Sequence, residues 1–321
     1  MFEIVFLGTS ASAPSIHRGL PAQVVLAGEY RFLIDCGEGA QRQILRSGIG
    51  FKRLNRILLT HGHLDHILGL GGLISSFANW EAMEEIEIWG GKSTLDRVSR
   101  LLYGVVLDFE RLPIKISMYD LQKPATFFEC KEYTVTAFPV THRGSGNFGY
   151  VFQQKTHRPF LLEKAEALGV PAGPERGRLV KGESITLPNG TIVTPDMVLD
   201  KEIRGVKLVH IGDIARLDNI GEYVQDADAL VIEATFLKDN VEEARAFGHI
   251  TAHEAATLAQ EANVGTLLIT HVSRRYRERD IVHEARAVFP NTYVVRDFDH
   301  FVLKRGEPVE KKVATAAEDE E

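Results

Sequence analysis

The sequence predicts an α/β fold, a four-layer αββα sandwich with an inserted flexible arm, and three observations carry that expectation. Short apolar, β-branched runs alternate with stretches of helical period. The pattern occurs twice, before and after a Gly- and Pro-rich interval at about residues 155–201. Several apolar runs also stop abruptly at a histidine or aspartate, as strands do when they end at a site.

In the first half, Glu3 to Leu7, Ala22 to Ala27 and Arg31 to Asp35 are apolar runs broken by Gly, Ser and Pro, and read as strands. Gly37-Glu38-Gly39 opens a helix over Ala40 to Ser47, with Ile44 and Leu45 on its apolar side. Arg56 to Leu59 is a fourth buried strand, which stops at Thr60-His61. Ile86 to Trp89 reads as a strand and Ser93 to Tyr103 as a helix, followed by strands at Ile114 to Met118, Ala125 to Phe128 and Tyr133 to Phe138. The second half repeats the theme with strands at Val206 to Ile211, Ala229 to Ile232 and Thr266 to Ile269, and helices at Ala252 to Ala262 and Asp280 to Val288. Pro159, Pro171, Gly173, Pro174, Gly177, Gly182, Pro188, Gly190 and Pro195 break up the interval between, where Phe160 to Leu168 has room only for a short helix. The expected organisation is a single domain over residues 1–308, the arm at about 155–201, and a disordered acidic tail at 309–321.

With 321 residues and 44% hydrophobic content, the chain can bury a large core without disulfides. Only Cys36 and Cys130 are present, and Met1 to Gly8 has an early acid and no basic flank, so it reads as a strand and not a signal peptide. No apolar run approaches the roughly 20 residues of a membrane span. A cytoplasmic location is expected.

A formal net charge of −7 argues on average against a nucleic-acid partner, since phosphate neutralisation by Lys and Arg dominates such binding. Local charge differs. Glu318, Asp319, Glu320 and Glu321 lie in the tail, and without them the body carries −3. From Lys155 to Lys181 the bases Lys155, Arg158, Lys164, Arg176, Arg178 and Lys181 outnumber Glu163, Glu166 and Glu175, leaving +3. A second basic patch, Arg274, Arg275, Arg277 and Arg279, surrounds Tyr276.

Among the twelve histidines, His61, His63 and His66 fall with Asp65 inside six residues, between a buried strand and an apolar helix. Imidazole and carboxylate suit a borderline divalent ion such as zinc. In an extended loop, His61 and His63 project to one side and can grip one ion, while Asp65 and His66 reach a second. His142, Asp213 and His271 repeat the context of a polar residue at the end of an apolar strand. Ser273 and Arg275, just beyond His271, are candidate phosphate ligands.

This spacing resembles the metallo-β-lactamase superfamily. Within it, the chain is similar to the ribonuclease Z family, endonucleases that trim 3′ trailers from precursor tRNA. The similarity rests on Phe6-Leu7-Gly8-Thr9, Asp35-Cys36-Gly37-Glu38-Gly39, the histidine segment, Phe148-Gly149-Tyr150, Gly169 to Pro174, Gly212-Asp213, Glu233-Ala234-Thr235-Phe236 and Thr270 to Tyr276. The resemblance implies two zinc ions per subunit, with manganese or another divalent metal as a substitute. His61, His63 and His142 would hold one, Asp65, His66 and His271 the other, and Asp213 would bridge them. It further implies Asp65 as general base, His249 at the scissile phosphate or leaving oxygen, and Glu233 orienting His249. The implied products are a tRNA with a 3′-hydroxyl and a trailer with a 5′-phosphate. A homodimer is implied as well, with the arm of one subunit holding tRNA for the other's site. Arm residues Lys155, Arg158, Lys164, Gly173, Pro174, Arg176, Arg178 and Lys181 are the expected tRNA clamp.

Three segments depart from the family pattern. His249-Ile250-Thr251 replaces His-Ser-Thr, Ile232 precedes Glu233-Ala234-Thr235 in place of His, and Pro14 to Gly19 lacks the Lys and Asn of Pro-x-Lys-x-Arg-Asn. Two alternatives stand beside this reading: a small-molecule phosphodiesterase or other hydrolase of the same fold, which would not need the arm, and a non-catalytic, zinc-containing RNA-binding protein, which would need only four closed ligands.

Overall fold

The computed structural model describes residues 1–79, 83–107 and 114–312. Met1–Gln153 with the residues from Val206 onward form one compact unit, and Gln154–Gly205 a second.

The first unit starts with an antiparallel meander, β1 (Phe2–Gly8), β2 (Ala22–Ala27) and β3 (Tyr30–Ile34). Helix α1 (Ala40–Arg46) leads to β4 (Arg56–Leu58), parallel to β3. Then follow α2 (Leu64–Ile67), α3 (Leu70–Asn79), β5 (Glu85–Gly90), α4 (Lys92–Leu101) and β6 (Lys115–Asp120), with β4, β5 and β6 parallel. The chain next changes sheet through β7 (Ala125–Glu129), β8 (Tyr133–Pro139) and β9 (Phe148–Gln154).

The inserted unit contains α5 (Leu162–Ala167), α6 (Pro174–Val180), the two-stranded β10 (Ile185–Thr186) and β11 (Ile192–Val193), and α7 (Pro195–Val198). Its Gly and Pro content predicts no core. Even so, Ala165, Val170, Leu179, Ile185, Leu187, Val193, Val198 and Leu199 bury one another. Among the expected tRNA-binding bases, Arg158, Arg176 and Arg178 are engaged inside it. Arg158 bonds Asp196 and the Asp200 carbonyl, Arg176 the Val170 carbonyl, and Arg178 Glu183. Lys164 and Lys181 are exposed. Gly173 has φ +134 immediately before Pro174 at the first turn of α6, a conformation that disfavours any side chain.

Returning to the first unit, β12 (Lys207–His210), α8 (Gly221–Val224), β13 (Ala229–Glu233), α9 (Val241–Phe247), α10 (Ala252–Glu261), β14 (Thr266–Thr270), α11 (Glu278–Arg286) and β15 (Thr292–Val294) complete the second sheet and its helices. The last strands, β16 (His300–Leu303) and β17 (Glu310–Lys312), return to the first. The sheet orders are β17-β16-β1-β2-β3-β4-β5-β6 and β15-β14-β13-β12-β9-β8-β7.

Phe2, Ile4 and Phe6 of β1 meet Phe148, Tyr150, Phe152, Leu208, Val231 and Leu268 between the sheets. Each buried Phe there contributes about 1.5–3 kcal/mol. A second cluster joins the outer face of the first sheet to α1, α3 and α4, and a third the outer face of the second sheet to α10 and α11. These are the four layers.

Two expectations change. The sheets do not correspond to the two halves of the sequence, because β7 to β9 pair with the later strands while β16 returns beside β1, where Phe301 packs edge-on against Phe6. The tail does not start at 309. Glu310 to Lys312 pair with β16, and Lys311 and Lys312 bond Asp299 and Glu3. Glu318 to Glu321 lie outside the described residues. Among the described residues no helix is long and apolar enough to cross a membrane.

Candidate metal centre

Parallel strands place their carboxyl ends at one edge, and the site is built there. Asp35 follows β3, Thr60 and His61 follow β4, Asp213 follows β12, Glu233 closes β13 and His271 follows β14; His142 follows the antiparallel β8. His63 caps α2, whose first turns carry Asp65 and His66. Ser12, Asp35 and His271 have φ of 58°, 56° and 55°, a left-handed backbone costing about 1–3 kcal/mol each that concentrates at sites. Gly212 is needed because a Cβ there would lie 2.8 Å from Thr60 Oγ1.

His61, His63, His142 and Asp213 converge on one point, and Asp65, His66 and His271 on another. Around the first, His63 Nδ1 lies 2.9 Å from His61 Nε2 and 3.3 Å from His142 Nε2, while Asp213 Oδ2 lies 3.7 Å from both Nε2 atoms. Around the second, Asp213 Oδ1 lies 3.4 Å from His66 Nε2 and 3.3 Å from His271 Nε2, and Asp65 Oδ2 lies 3.8 and 3.7 Å from the same two atoms. Zinc–nitrogen bonds near 2.0–2.1 Å give a tetrahedral edge of about 3.4 Å, which these separations match.

His66 Nε2, His271 Nε2 and Asp213 Oδ1 are buried without hydrogen-bond partners. Each such atom costs about 1–3 kcal/mol, and a divalent cation satisfies all three. The residues therefore fit a metal.

The opposite ring nitrogens are held by the protein. Thr60 Oγ1 donates to Asp35 Oδ2 (2.7 Å) and so accepts from His61 Nδ1 (3.1 Å). His66 Nδ1 donates to Asp35 Oδ2 (2.8 Å), and His142 Nδ1 to the Gly248 carbonyl (2.7 Å). Thr235 Oγ1 donates to Glu233 Oε2 (2.6 Å) and accepts from His271 Nδ1 (2.9 Å). In His61, His66, His142 and His271 the tautomer is thereby fixed with the Nε2 lone pair facing the site.

Burial, and next the neighbouring His66, drive His61 well below the usual histidine range; burial also lowers His63 and His142. Burial alone would raise Asp213, but His271, His66 and His61 around it hold its carboxyl well below the usual range. Asp65 is likewise pulled against burial to about 2 by His271 and His66, and the Ser12 amide donates to its Oδ2 (3.1 Å). Burial would lower His66, yet Asp213 and Asp35 carry it well above the usual range.

His249 also comes within reach of Asp213 and His271. Its Nδ1 is bonded to Glu233 Oε1 (2.8 Å), and Glu233, fully buried, also accepts from the Ile214 and Thr235 amides. Against burial, which lowers it, Glu233 lifts His249 to about 9. Of the two carboxylates that raise His66, Asp213 is itself within the ligand cluster and would share its charge with a metal. Glu233, the first carboxylate that raises His249, lies outside that cluster. The departures Ile232 and Ile250 are fully buried in one cluster behind these two residues and leave their hydrogen bond intact.

Ser273 Oγ accepts from the Arg275 amide (3.2 Å), and the Arg275 side chain pairs with Glu243. Both line a cleft with Ser12 and His249. Sequence reasoning assigned no role to Asp35, Thr60, Thr235 or Ser12. Asp35 carried the same signal as Asp213, an acid ending an apolar strand.

Comparison with known proteins agrees with this geometry. Residues 30–199 match the profile of the beta-lactamase superfamily domain. Ribonuclease Z of Bradyrhizobium diazoefficiens is 46% identical over 303 residues, covering 94% of this chain and all of that protein. Ribonuclease Z of Archaeoglobus fulgidus is 38% identical over 302 residues, covering 93% and 96%. The crystal structure of the short form of human tRNase Z, 23% identical, superposes with a TM-score of 0.67 over 94% of this chain and 99% of that one, showing the shared fold. With identity of this level sustained over more than nine-tenths of the sequence, the chain belongs to the ribonuclease Z family of the beta-lactamase superfamily.

Proposed function

We propose that the protein is a zinc-dependent endoribonuclease that cuts precursor tRNA on its 3′ side, leaving a 3′-hydroxyl on the tRNA and a 5′-phosphate on the trailer. The carrying observation is Asp213, whose two carboxylate oxygens face two separate clusters of buried ligand atoms. That arrangement supports two ions per chain, His61, His63, His142 and Asp213 around one, and Asp65, His66, His271 and Asp213 around the other. When bound, such a pair supplies an activated water at neutral pH and neutralises the phosphate. Manganese would be accepted by the same ligands.

The chain's own groups do the rest. Asp65 stays ionised and is oriented by the Ser12 amide, as a carboxylate that accepts the proton of the attacking water must be. Glu233 fixes His249 and raises its pKa to about 9, which suits it to donate a proton to the leaving 3′-oxygen. Arg274 brings positive charge to the cleft beside Arg275, which is paired with Glu243, and the exposed Lys164 and Lys181 do so on the inserted unit, where they would contact tRNA phosphates. The two free cysteines suit a reducing cytoplasm, and the family resemblance supports a homodimer, which light scattering would test.

The test is end-mapping. A precursor tRNA with a 3′ trailer should be cut beside the discriminator base, with the stated ends, and a chelator should abolish the cut. Binding without cleavage in added zinc or manganese would refute the assignment, as would cleavage that ignores the chelator.

A further inference from the structure

Of the Phe, Tyr and Trp rings described, Phe247 is the most exposed, at 54%. It ends α9, and the next two residues turn the chain back. Gly248 has φ +77, and the His249 amide bonds the Ala244 carbonyl (2.8 Å). The Gly248 carbonyl accepts from the metal-site residue His142. One rigid turn therefore fixes Phe247, His249 and His142 together. A Cβ on Gly248 would lie 3.2 Å from Arg143 and 3.4 Å from His142, so the turn has little room to shift.

Phe247 lies parallel to the buried Phe236, with an interplanar angle of 10° and centroids 6.2 Å apart. The Arg143 guanidinium sits 5.5 Å from its centroid. Phe236 is anchored by backbone bonds to Ile250 and Ala252 on either side of Thr251. The two rings form one wall of a cleft of about 350 Å³ that also includes His249, Ser12, Ser273 and Arg275. A flat apolar wall beside hydroxyls and guanidinium groups is how proteins take a single unpaired nucleotide, base on the ring and phosphate on the cations.

We propose that Phe247 is the stacking platform for the base of the nucleotide on the 5′ side of the scissile phosphate, the last one that the tRNA keeps. The side follows from the position of His249, which shares the turn and the wall with Phe247 and which the proposed function places at the 3′-oxygen of that nucleotide. This inference rests on the precursor-tRNA reading above. Ring stacking accepts any base, so the site selects for an unpaired nucleotide and not for its identity.

The test couples protein and substrate. Steady-state cleavage is measured for wild type, Phe247→Ala, Phe247→Leu and Phe247→Trp on three precursor tRNAs: intact, abasic at the nucleotide 5′ to the cut, and abasic 3′ to it. Phe247→Ala and the 5′ abasic change should each raise KM by about five- to a hundredfold, and together no further. The 3′ abasic effect should multiply with that of Phe247→Ala. Trp should restore binding and Leu should not, a pair that keeps the test valid if the Ala variant melts early. An unchanged KM in Phe247→Ala, multiplication of its effect with the 5′ abasic change, or rescue by Leu would overturn the stack. Wild type failing to cut any precursor would sink the function and this inference together, whereas wild-type cleavage without the coupling sinks the stack alone.

Discussion

Nε2 of His66 lies 3.4 Å from Oδ1 of Asp213, and both atoms are buried without a hydrogen-bond partner. The other nitrogen of His66 already donates to Asp35. A divalent cation between these two atoms would satisfy both. Because Asp213 presents its second oxygen to His61 and His142, its loss affects both clusters. Asp213→Ala should reduce metal per chain, read by elemental analysis, and lower turnover by more than the roughly 10- to 100-fold typical of outer partners.

Asp35 touches no proposed metal position, yet it accepts from the Thr60 amide, Thr60 Oγ1 and His66 Nδ1. Asp35→Asn keeps the shape and removes the charge and one acceptor. Metal affinity should fall about 10- to 100-fold in a chelator competition, with wild-type affinity marking the role as wrong.

Glu233 Oε1 is bonded to His249 Nδ1 and raises the histidine's pKa. Since His249 has a folded pKa raised to about 9, an acid function is present below that pH and is lost as pH rises through it. Glu233→Gln should move the alkaline limb of kcat downward, toward the ordinary histidine value of about 6.5. An unmoved limb would assign it to another group.

Much of this centre was legible in the sequence for a physical reason. Metal ligands cluster at strand ends, and His61 to His66, His142, Asp213 and His271 all interrupt apolar runs. Asp35 stood in the same context and was read as the end of a strand and as part of a family segment, with no role at the metal. Thr60 gave no signal, because threonine in a strand-rich segment is ordinary, and Thr235 stood out only within the family segment Glu233 to Phe236. Ser12 acts through its backbone amide, which has no side-chain signature. The return of β16 and β17 to the first sheet was hidden since Glu310 to Lys312 are all charged and owe their strand to pairing with β16. In the inserted unit, Val170, Leu179, Ile185 and Val193 follow no regular period, so its small core could not be read from spacing.

The inserted unit has its own core and contains none of the clustered ligand residues. Replacing residues 156–198 by a short linker should leave hydrolysis of a small phosphodiester within about threefold, while kcat/KM for precursor tRNA falls by at least about tenfold, the equivalent of 1.4 kcal/mol of lost contacts. Equal losses on both substrates would assign the unit to stability instead.

Anomalous diffraction at the zinc edge, from crystals of active protein, tests the central claim most directly. Two peaks are expected on either side of Asp213, one among His61, His63 and His142, the other among Asp65, His66 and His271. A single peak, or peaks that leave Asp213 unligated in a preparation that still cleaves precursor tRNA, would contradict it.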